Sequence, residues 1–229
     1  LARYVNGLGD DVGLMVYVPS QNRTYAFNAD QQFETASVIK VIILITLLND
    51  VEGQQRALTS AEQSEAAAMI EYSDNDAAQA LYDEVGDNPG IDAYMTSIGI
   101  SHLTLTLDGF GTSQVLPQTM IRILEDLRTA SILTPADCQY ALSLMGQIAS
   151  DEQMGLGDTA PPGATVQMKD GYGVEDDGLN VMVTVGIVTY QGQVYDVALF
   201  TRREQTLQQG IDYVDTICQD IALALVGQK

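Results

Sequence analysis

Histidine, cysteine and positive charge are scarce in this sequence, and each shortage excludes a class of function. The 229 residues include one histidine, His102, which rules out a zinc site built from several histidines and an HExxH helix. Ten Lys and Arg stand against 31 Asp and Glu, which gives a formal net charge of -21. Such a charge repels nucleic-acid phosphates and anionic lipid surfaces. We therefore expect no nucleic-acid partner.

The two cysteines, Cys138 and Cys218, lie far apart in the sequence and match no metal or redox spacing. They either pair with each other or lie as two small buried thiols. No nucleophile signature surrounds His102, so we interpret it as a structural residue. The chain begins at Leu1 without a methionine and shows no signal peptide, which favours a processed product. The residues imply no metal and no organic cofactor.

Strand patterns occupy both ends of the chain, and helix patterns occupy its middle. The strand segments are 11–19, 23–28, 164–168, 180–190 and 194–201. The helical segments are 37–50, 60–72, 76–85, 89–98, 117–130 and 135–149, with a closing helix over 204–226. This order predicts a two-lobed α/β (α+β) fold. Residues 1–33 and 164–229 would form an antiparallel sheet flanked by helices, and residues 34–163 would form an all-helical lobe.

The run from Ser37 to Leu48 is apolar on every side. As a helix it must lie at the centre of a domain, and it is too short and too interrupted to span a bilayer. Lys40 stands in its first turn, where its amine either extends to solvent or is buried for a reason. Ser37 and Lys40 lie one helical turn apart. A buried Lys40 with a lowered pKa could therefore take the proton of a nucleophilic Ser37.

Two further polar motifs follow along the chain. Residues 73–75, SDN, precede a predicted helix, where such residues are common N-caps. Residues 169–171, KDG, follow a predicted strand, where they are compatible with an exposed strand end and a turn glycine. Each motif is ordinary alone, but their order, with each motif on the expected element, is much rarer. The chain has three lysines, and both internal ones, Lys40 and Lys169, fall in these motifs.

The order SxxK, SDN and KxG resembles that of the penicillin-recognising serine hydrolases, and specifically of class A β-lactamases. The similarity covers nearly the whole chain, from the first hairpin to the terminal helix. It implies that Ser37 is the acylated nucleophile, that Lys40 is its activating base and that Ser73 relays a proton to the leaving group. The residues that it places around the substrate are Asn75, Lys169, Asp170, Gly171 and Tyr172.

The resemblance also implies individual binding roles in a cleft between the two lobes. Asn75 would hold the substrate amide, and Lys169 would support Ser73 and attract a substrate carboxylate. The backbone N–H groups of Ser37 and Tyr172 would form the oxyanion hole. The implied partner is a small-molecule acyl substrate, either a β-lactam or a cell-wall peptide, and the resemblance implies an exported protein.

Three features depart from the class A pattern. Residues 104–117, which match the Ω-loop, contain no Glu to activate the deacylating water, and we expect their only acid, Asp108, to be structural. KTG has become KDG, so Asp170 either faces the cleft and opposes a substrate carboxylate or points away as one of many solvated acids. The strand over 180–190 has no Arg, and Arg202 and Arg203 are the nearest later candidates for a carboxylate partner.

These observations predict an acyl-serine hydrolase that attacks a lactam, amide or ester carbonyl through Ser37 and deacylates slowly. Two alternatives stay open. One is a D,D-peptidase-like or esterase activity, which differs in the acyl acceptor that it uses. The other is a degenerate member that binds a ligand without turnover, which covalent labelling of Ser37 would exclude.

Overall fold

The main sheet is built from strands at the two ends of the chain. The computed structural model of the protein describes residues 2–106 and 109–226. Its strands are β1 Val12–Val18, β2 Arg23–Phe27, β3 Phe33–Glu34, β4 Leu103–Thr104, β5 Gln114–Val115, β6 Thr165–Val174, β7 Asn180–Tyr190 and β8 Gln193–Glu204. Five of them form an antiparallel sheet in the order β2-β1-β8-β7-β6. The first hairpin is thus joined to the last one through β1 and β8.

Helices fill the chain between the two groups of strands and also close it. They are α1 Ala2–Leu8, α2 Ile39–Gly53, α3 Ser60–Glu71, α4 Asn75–Glu84, α5 Asp87–Ser97, α6 Pro117–Thr129, α7 Pro135–Met145, α8 Leu156–Thr159 and α9 Leu207–Val226. Helix α9 packs on β7 and β8, and α6 packs on β8 and β1. The predicted fold class, an antiparallel sheet flanked by helices together with a helical segment, is confirmed. The lobe boundaries proposed from the sequence stay a prediction.

Helix α2 lies in the core because its sequence offers no polar face. Every residue from Ile39 to Leu48 is buried. The hydroxyl of Thr46 is satisfied within the helix, since it donates a hydrogen bond to the carbonyl of Ile42 at 2.8 Å. Lys40 is fully buried in the first turn. Because an unpaired buried ammonium is very unfavourable, its partners must come from other elements.

The start of α4 is fixed by a side-chain cap. Asp74 is the N-cap residue, and its Oδ1 accepts the N–H of Ala77 at 2.8 Å. The carbonyl of Ala68, in the last turn of α3, accepts the N–H groups of both Tyr72 and Asp74. Ser73 is therefore held between two anchored helix ends.

Three features of the fold differ from the sequence-based expectation. Strand β6 continues to Val174, so residues 169–171 lie inside a strand and not at its exposed end. Pairing along β7 holds this polar, glycine-containing segment extended against its low intrinsic strand propensity. A second sheet, in the order β3-β5-β4, consists of two-residue strands that carry no readable periodicity. Helix α1 was not predicted either.

Both cysteines are free and buried, which decides between the two alternatives left by the sequence. Burial raises the pKa of the Cys138 and Cys218 thiols. They therefore behave as small apolar side chains of the core. Among the helices within 2–106 and 109–226, none has the length and hydropathy to cross a bilayer.

Candidate active site

Lys40 joins the SxxK and SDN segments through hydrogen bonds of its ammonium group. Nζ donates to the carbonyl oxygen of Ser73 at 2.5 Å, to Ser73 Oγ at 3.2 Å and to Asn75 Oδ1 at 2.8 Å. The side chain has no exposed surface, so it does not extend to solvent. Asp74, between these two partners, caps α4, so the cap and the lysine contacts coexist in one tripeptide.

Ser37 lies at the surface of a cleft, in a 3₁₀ turn that runs directly into α2. The turn comprises Ala36–Val38, and Ser37 is its one partly exposed residue, since Ala36 and Val38 are buried. The cleft has a volume of about 330 Å³. Its lining residues are Glu34, Ala36, Ser37, Asn75, Gly109, Phe110, Gly111, Thr112, Tyr172, Gly173 and Val174. Ser37, Asn75 and Tyr172, from three separate motif segments, thus meet at one cavity.

Strand β6 passes against the serine turn at Gly171. A Cβ atom on Gly171 would lie 2.5 Å from the Ser37 nitrogen and 3.0 Å from the Ala36 Cβ, which leaves no room for a side chain. Glycine is therefore required for this close approach of two backbones. The next residue, Tyr172, is 49% exposed and lines the cleft.

Two non-glycine residues beside these contacts have left-handed backbone conformations. Ala36, directly before Ser37, has φ +42°, and Ser73 has φ +55°. Such conformations cost energy for residues with a Cβ atom and persist only where the surroundings enforce them. Ala36 lines the cleft, and Ser73 is hydrogen-bonded to Lys40.

The environment of Lys40 makes its ammonium easier to deprotonate. Burial and the positive charge of Lys169 lower the pKa of Lys40 from 10.5 to about 8, against the opposing effect of nearby carboxylates. About a tenth of the amine is therefore uncharged at pH 7, far more than for a lysine with the ordinary pKa. This is the property that a general base at this position requires.

Lys169 and Asp170 form a buried ion pair behind the cleft surface. Lys169 Nζ donates to Asp170 Oδ1 at 3.2 Å, and neither residue has exposed surface. In the sheet register, Asp170 lies opposite Thr184, which packs against Gly155 at the start of α8. Asp170 thus points away from the Ser37 side of the strand, but it is enclosed and not solvated. Neither expectation for this side chain, cleft-facing or solvated, describes what is observed.

One acid near the two lysines was missed by the sequence reasoning. Glu152 ends a 3₁₀ turn that begins at Ser150, and its pKa is raised by burial against the opposing charges of Lys169 and Lys40. The residue before the turn is tied to the end of α3, two residues before the SDN segment, since the Ala149 N–H donates to the carbonyl of Glu71 at 2.8 Å. No sequence spacing connects Glu152 to the motifs, so only the fold reveals it.

The remaining candidates lie elsewhere. Arg202 and Arg203 line an adjoining cavity, and His102 is exposed in the loop after α5. Asp108 lies outside the described residues. Within the described ranges, no cluster of three His, Cys, Asp or Glu side chains could hold a metal ion.

The sequence matches the β-lactamase enzyme family over residues 1–64 and 62–226. The chain belongs to the β-lactamase enzyme family. No curated protein matches this chain.

Solved structures of β-lactamases share its fold. The TLA-1 extended-spectrum β-lactamase is 17% identical with a TM-score of 0.87, over 98% of this chain and 97% of that one. A β-lactamase from Chitinophaga pinensis is 19% identical with a TM-score of 0.83, over 96% and 97%. An ancestral class A β-lactamase is 18% identical with a TM-score of 0.83, over 99% and 97%. The family member therefore has the class A β-lactamase fold.

Proposed function

We propose that this β-lactamase family member is an acyl-serine hydrolase that uses Ser37 as its nucleophile. The observation that carries the proposal is the position of Lys40. This residue lies one turn after Ser37, is fully buried, and donates a hydrogen bond from its Nζ to Ser73 Oγ. A hydroxyl at the cleft, an amine with a lowered pKa and a second hydroxyl are the kinds of group that acyl transfer uses. The substrate is a small acyl compound with a lactam, amide or ester carbonyl.

Acylation proceeds by addition to the carbonyl carbon followed by loss of the leaving group. Ser37 Oγ attacks and forms the new C–O bond while its proton passes to the neutral amine of Lys40. The bond to the leaving group then breaks. Ser73 Oγ delivers its proton to that group and takes the proton held by Lys40 Nζ, which lies 3.2 Å away, so that Lys40 is neutral again. The Asn75 amide, whose oxygen accepts from Lys40, has its N–H groups left to hold the substrate.

The developing oxyanion is stabilised by backbone donors. The N–H groups of Ser37 and Tyr172 come from the two backbones that meet at Gly171. Fixed donors of this kind cost no reorganisation during the reaction, and each contributes a factor of about 10² to 10³ in rate. Replacement of either side chain leaves these donors in place.

Deacylation is the slow step in this proposal. Residues 104–117 contain no Glu to activate water, so an acyl-enzyme at Ser37 is expected to persist. Transfer to an amine in place of water would make the protein D,D-peptidase-like, and preference for simple esters would make it an esterase. On the basis of its family, we also propose that the protein is exported from the cytoplasm.

Intact-protein mass spectrometry after mixing with penicillins, cephalosporins and activated esters tests the proposal. We expect one adduct, on Ser37, that is absent in Ser37→Ala and present in the control Ser64→Ala, whose serine is exposed on α3. An adduct that persists in Ser37→Ala would contradict the assignment. No adduct with any compound would favour the degenerate, ligand-binding alternative.

A further inference from the structure

The ion pair of Lys169 and Asp170 bears on which substrates the cleft accepts. Both side chains have 0% exposure, and their Nζ and Oδ1 atoms lie 3.2 Å apart. Neither residue is among those that line the cleft at Ser37. The ammonium is therefore already paired inside the protein before any substrate arrives.

The position of Asp170 explains why the ion pair is shielded from solvent. Its cross-strand neighbour Thr184 is also fully buried, and a Cβ on Gly155 would approach the Thr184 methyl to 2.7 Å. This side of β6 is thus covered by the chain around α8. Asp170 Oδ2 has no hydrogen-bond partner among the described residues, so Lys169 supplies the main compensation for its buried charge.

The charge on the cleft wall points in the same direction. Among the described residues that line the cleft, Glu34 has the only carboxyl group and none is a Lys, Arg or His. Burial and the neighbouring acids Glu175 and Asp176 raise the pKa of Glu34 to about 7, so it opposes a substrate carboxylate most strongly above that pH. A substrate carboxylate beside Ser37 would meet this acid, and the Lys169 ammonium that could otherwise attract it is already paired with Asp170.

The two nearby arginines do not reverse this balance. Arg202 and Arg203 line the adjoining cavity of about 550 Å³, which shares Glu34 with the cleft. The acids Glu175, Asp176 and Asp177 also line it, so its carboxylates outnumber its guanidinium groups. Arg202 in addition stacks over the Phe33 ring at 4.8 Å and lies 3.9 Å from an Asp11 carboxylate oxygen.

We propose that Asp170 is a positioning residue that holds the Lys169 ammonium inside the protein and thereby selects acyl donors without a carboxylate next to the reacting carbonyl. The proposal rests on the proposed function of Ser37. Neutral esters and uncharged lactams are the preferred class of substrate. An anionic β-lactam reacts more slowly, because Lys169 must first leave Asp170 to bind its carboxylate.

The test compares a cephalosporin free acid with its neutral methyl ester as acylating agents. The second-order rate of adduct formation is measured by intact mass, and each rate is divided by the rate of hydroxide-catalysed ring opening of the same compound. We expect the wild-type protein to favour the ester by about tenfold, the scale of one charge interaction in a partly screened site.

Variants locate the cause in the ion pair. Asp170→Asn frees the ammonium, and the acid-to-ester ratio should rise by about tenfold or more. Asp92→Asn removes the same charge from an exposed position on α5 and should leave the ratio within about twofold of wild type. A fold defect common to a buried-site variant would slow both compounds together and would not move their ratio. Asp170→Thr serves as a second variant if Asp170→Asn does not fold.

Several outcomes would overturn the inference. Preference of the wild type for the free acid would do so, as would equal ratios in Asp170→Asn and Asp92→Asn. A shift produced by Glu34→Gln and not by Asp170→Asn would assign the selectivity to the cleft wall. If neither compound labels Ser37, the proposed function itself fails, which is distinguishable from labelling with the wrong preference.

Discussion

Gly171 lies so close to Ser37 that the strand and the serine turn touch through their backbones. A Cβ atom at position 171 would stand 2.5 Å from the Ser37 nitrogen, well inside contact distance. Tyr172, whose N–H is the second proposed oxyanion donor, directly follows Gly171 in β6. The geometry of the proposed oxyanion hole therefore depends on the absence of a single side chain.

Gly171→Ala should abolish most acylation while the fold is retained. The added methyl group must push β6 away from the serine turn, which separates the two backbone donors. We expect acylation of Ser37 to slow by about 10²-fold, the usual effect of losing one oxyanion donor. Gly53→Ala, at the exposed end of α2 and outside the cleft lining, is the control, because a Cβ there would meet no neighbouring element within 4 Å. Equal acylation by the two variants, measured by intact mass, would disprove this placement of the oxyanion hole.

The rate of acylation should follow the titration of Lys40. Its pKa is lowered to about 8, first by burial and then by the Lys169 charge. The neutral base fraction rises about tenfold for each pH unit below that pKa and levels off above it. We therefore expect acylation rates, measured from pH 6 to 9.5 with a neutral ester, to increase with pH and reach a plateau above about pH 8.

Lys40→Arg tests the same base without removing the positive charge. Guanidinium stays protonated throughout the accessible pH range, so the variant should show no measurable acylation at any pH in that series. Circular dichroism checks that the variant is folded. A wild-type pH profile retained by Lys40→Arg would mean that another group takes the Ser37 proton.

Burial of Glu204 should make the protein more stable at acid pH. The residue is 1% exposed, and burial raises its pKa from 4.5 to about 7. The folded state therefore holds a proton that the unfolded state has lost between these pH values. Stability is largest below about pH 4.5 and is lost as the pH rises through about 7, by roughly 3 kcal/mol for this group.

Glu204→Gln removes this dependence because its amide does not ionise. We expect the variant to unfold at higher urea concentration than wild type at pH 8, with a smaller difference at pH 5. Asp92→Asn, on the exposed face of α5, controls for the loss of one negative charge. A difference between wild type and Glu204→Gln that does not change with pH would contradict the prediction.

The sequence predicted those parts of the fold that rest on long, regular patterns. Helix α2 was predictable because its apolar run leaves no polar face, and β7 was predictable because its apolar and β-branched residues extend over a whole strand. The sheet of β3, β4 and β5 was not, because strands of two residues are defined by tertiary pairing alone. The end of β6 was placed too early, because pairing with β7 overrides the local preference of its glycines.

The contacts of the candidate site were less accessible to sequence reasoning. Lys40 and Ser73 are 33 residues apart, and only the resemblance between motif orders linked them. Strand alternation indicates which side Asp170 occupies, but the chain around Gly155 that covers that side is set by tertiary structure. Glu152 approaches the lysines because its turn is bonded to the end of α3, which no local pattern specifies.

The expected slow deacylation can be separated from the role of Glu152. If water activation lacks a dedicated base, mixing with a β-lactam should give a burst of product equal to the enzyme concentration, followed by turnover slower by about 10² to 10⁴-fold. Glu152 is the acid that could activate the water instead. Burial raises its pKa, and it interacts electrostatically with Lys169 and Lys40.

Glu152→Gln distinguishes the two possibilities. The Glu152 charge raises the pKa of Lys40, so its removal should shift the rise of the acylation rate to lower pH. The decay of the Ser37 adduct, followed by intact mass after removal of free β-lactam, should stay as slow as in wild type. An adduct that survives longer in Glu152→Gln, together with fast wild-type turnover, would make Glu152 the water-activating base and the protein an efficient β-lactamase.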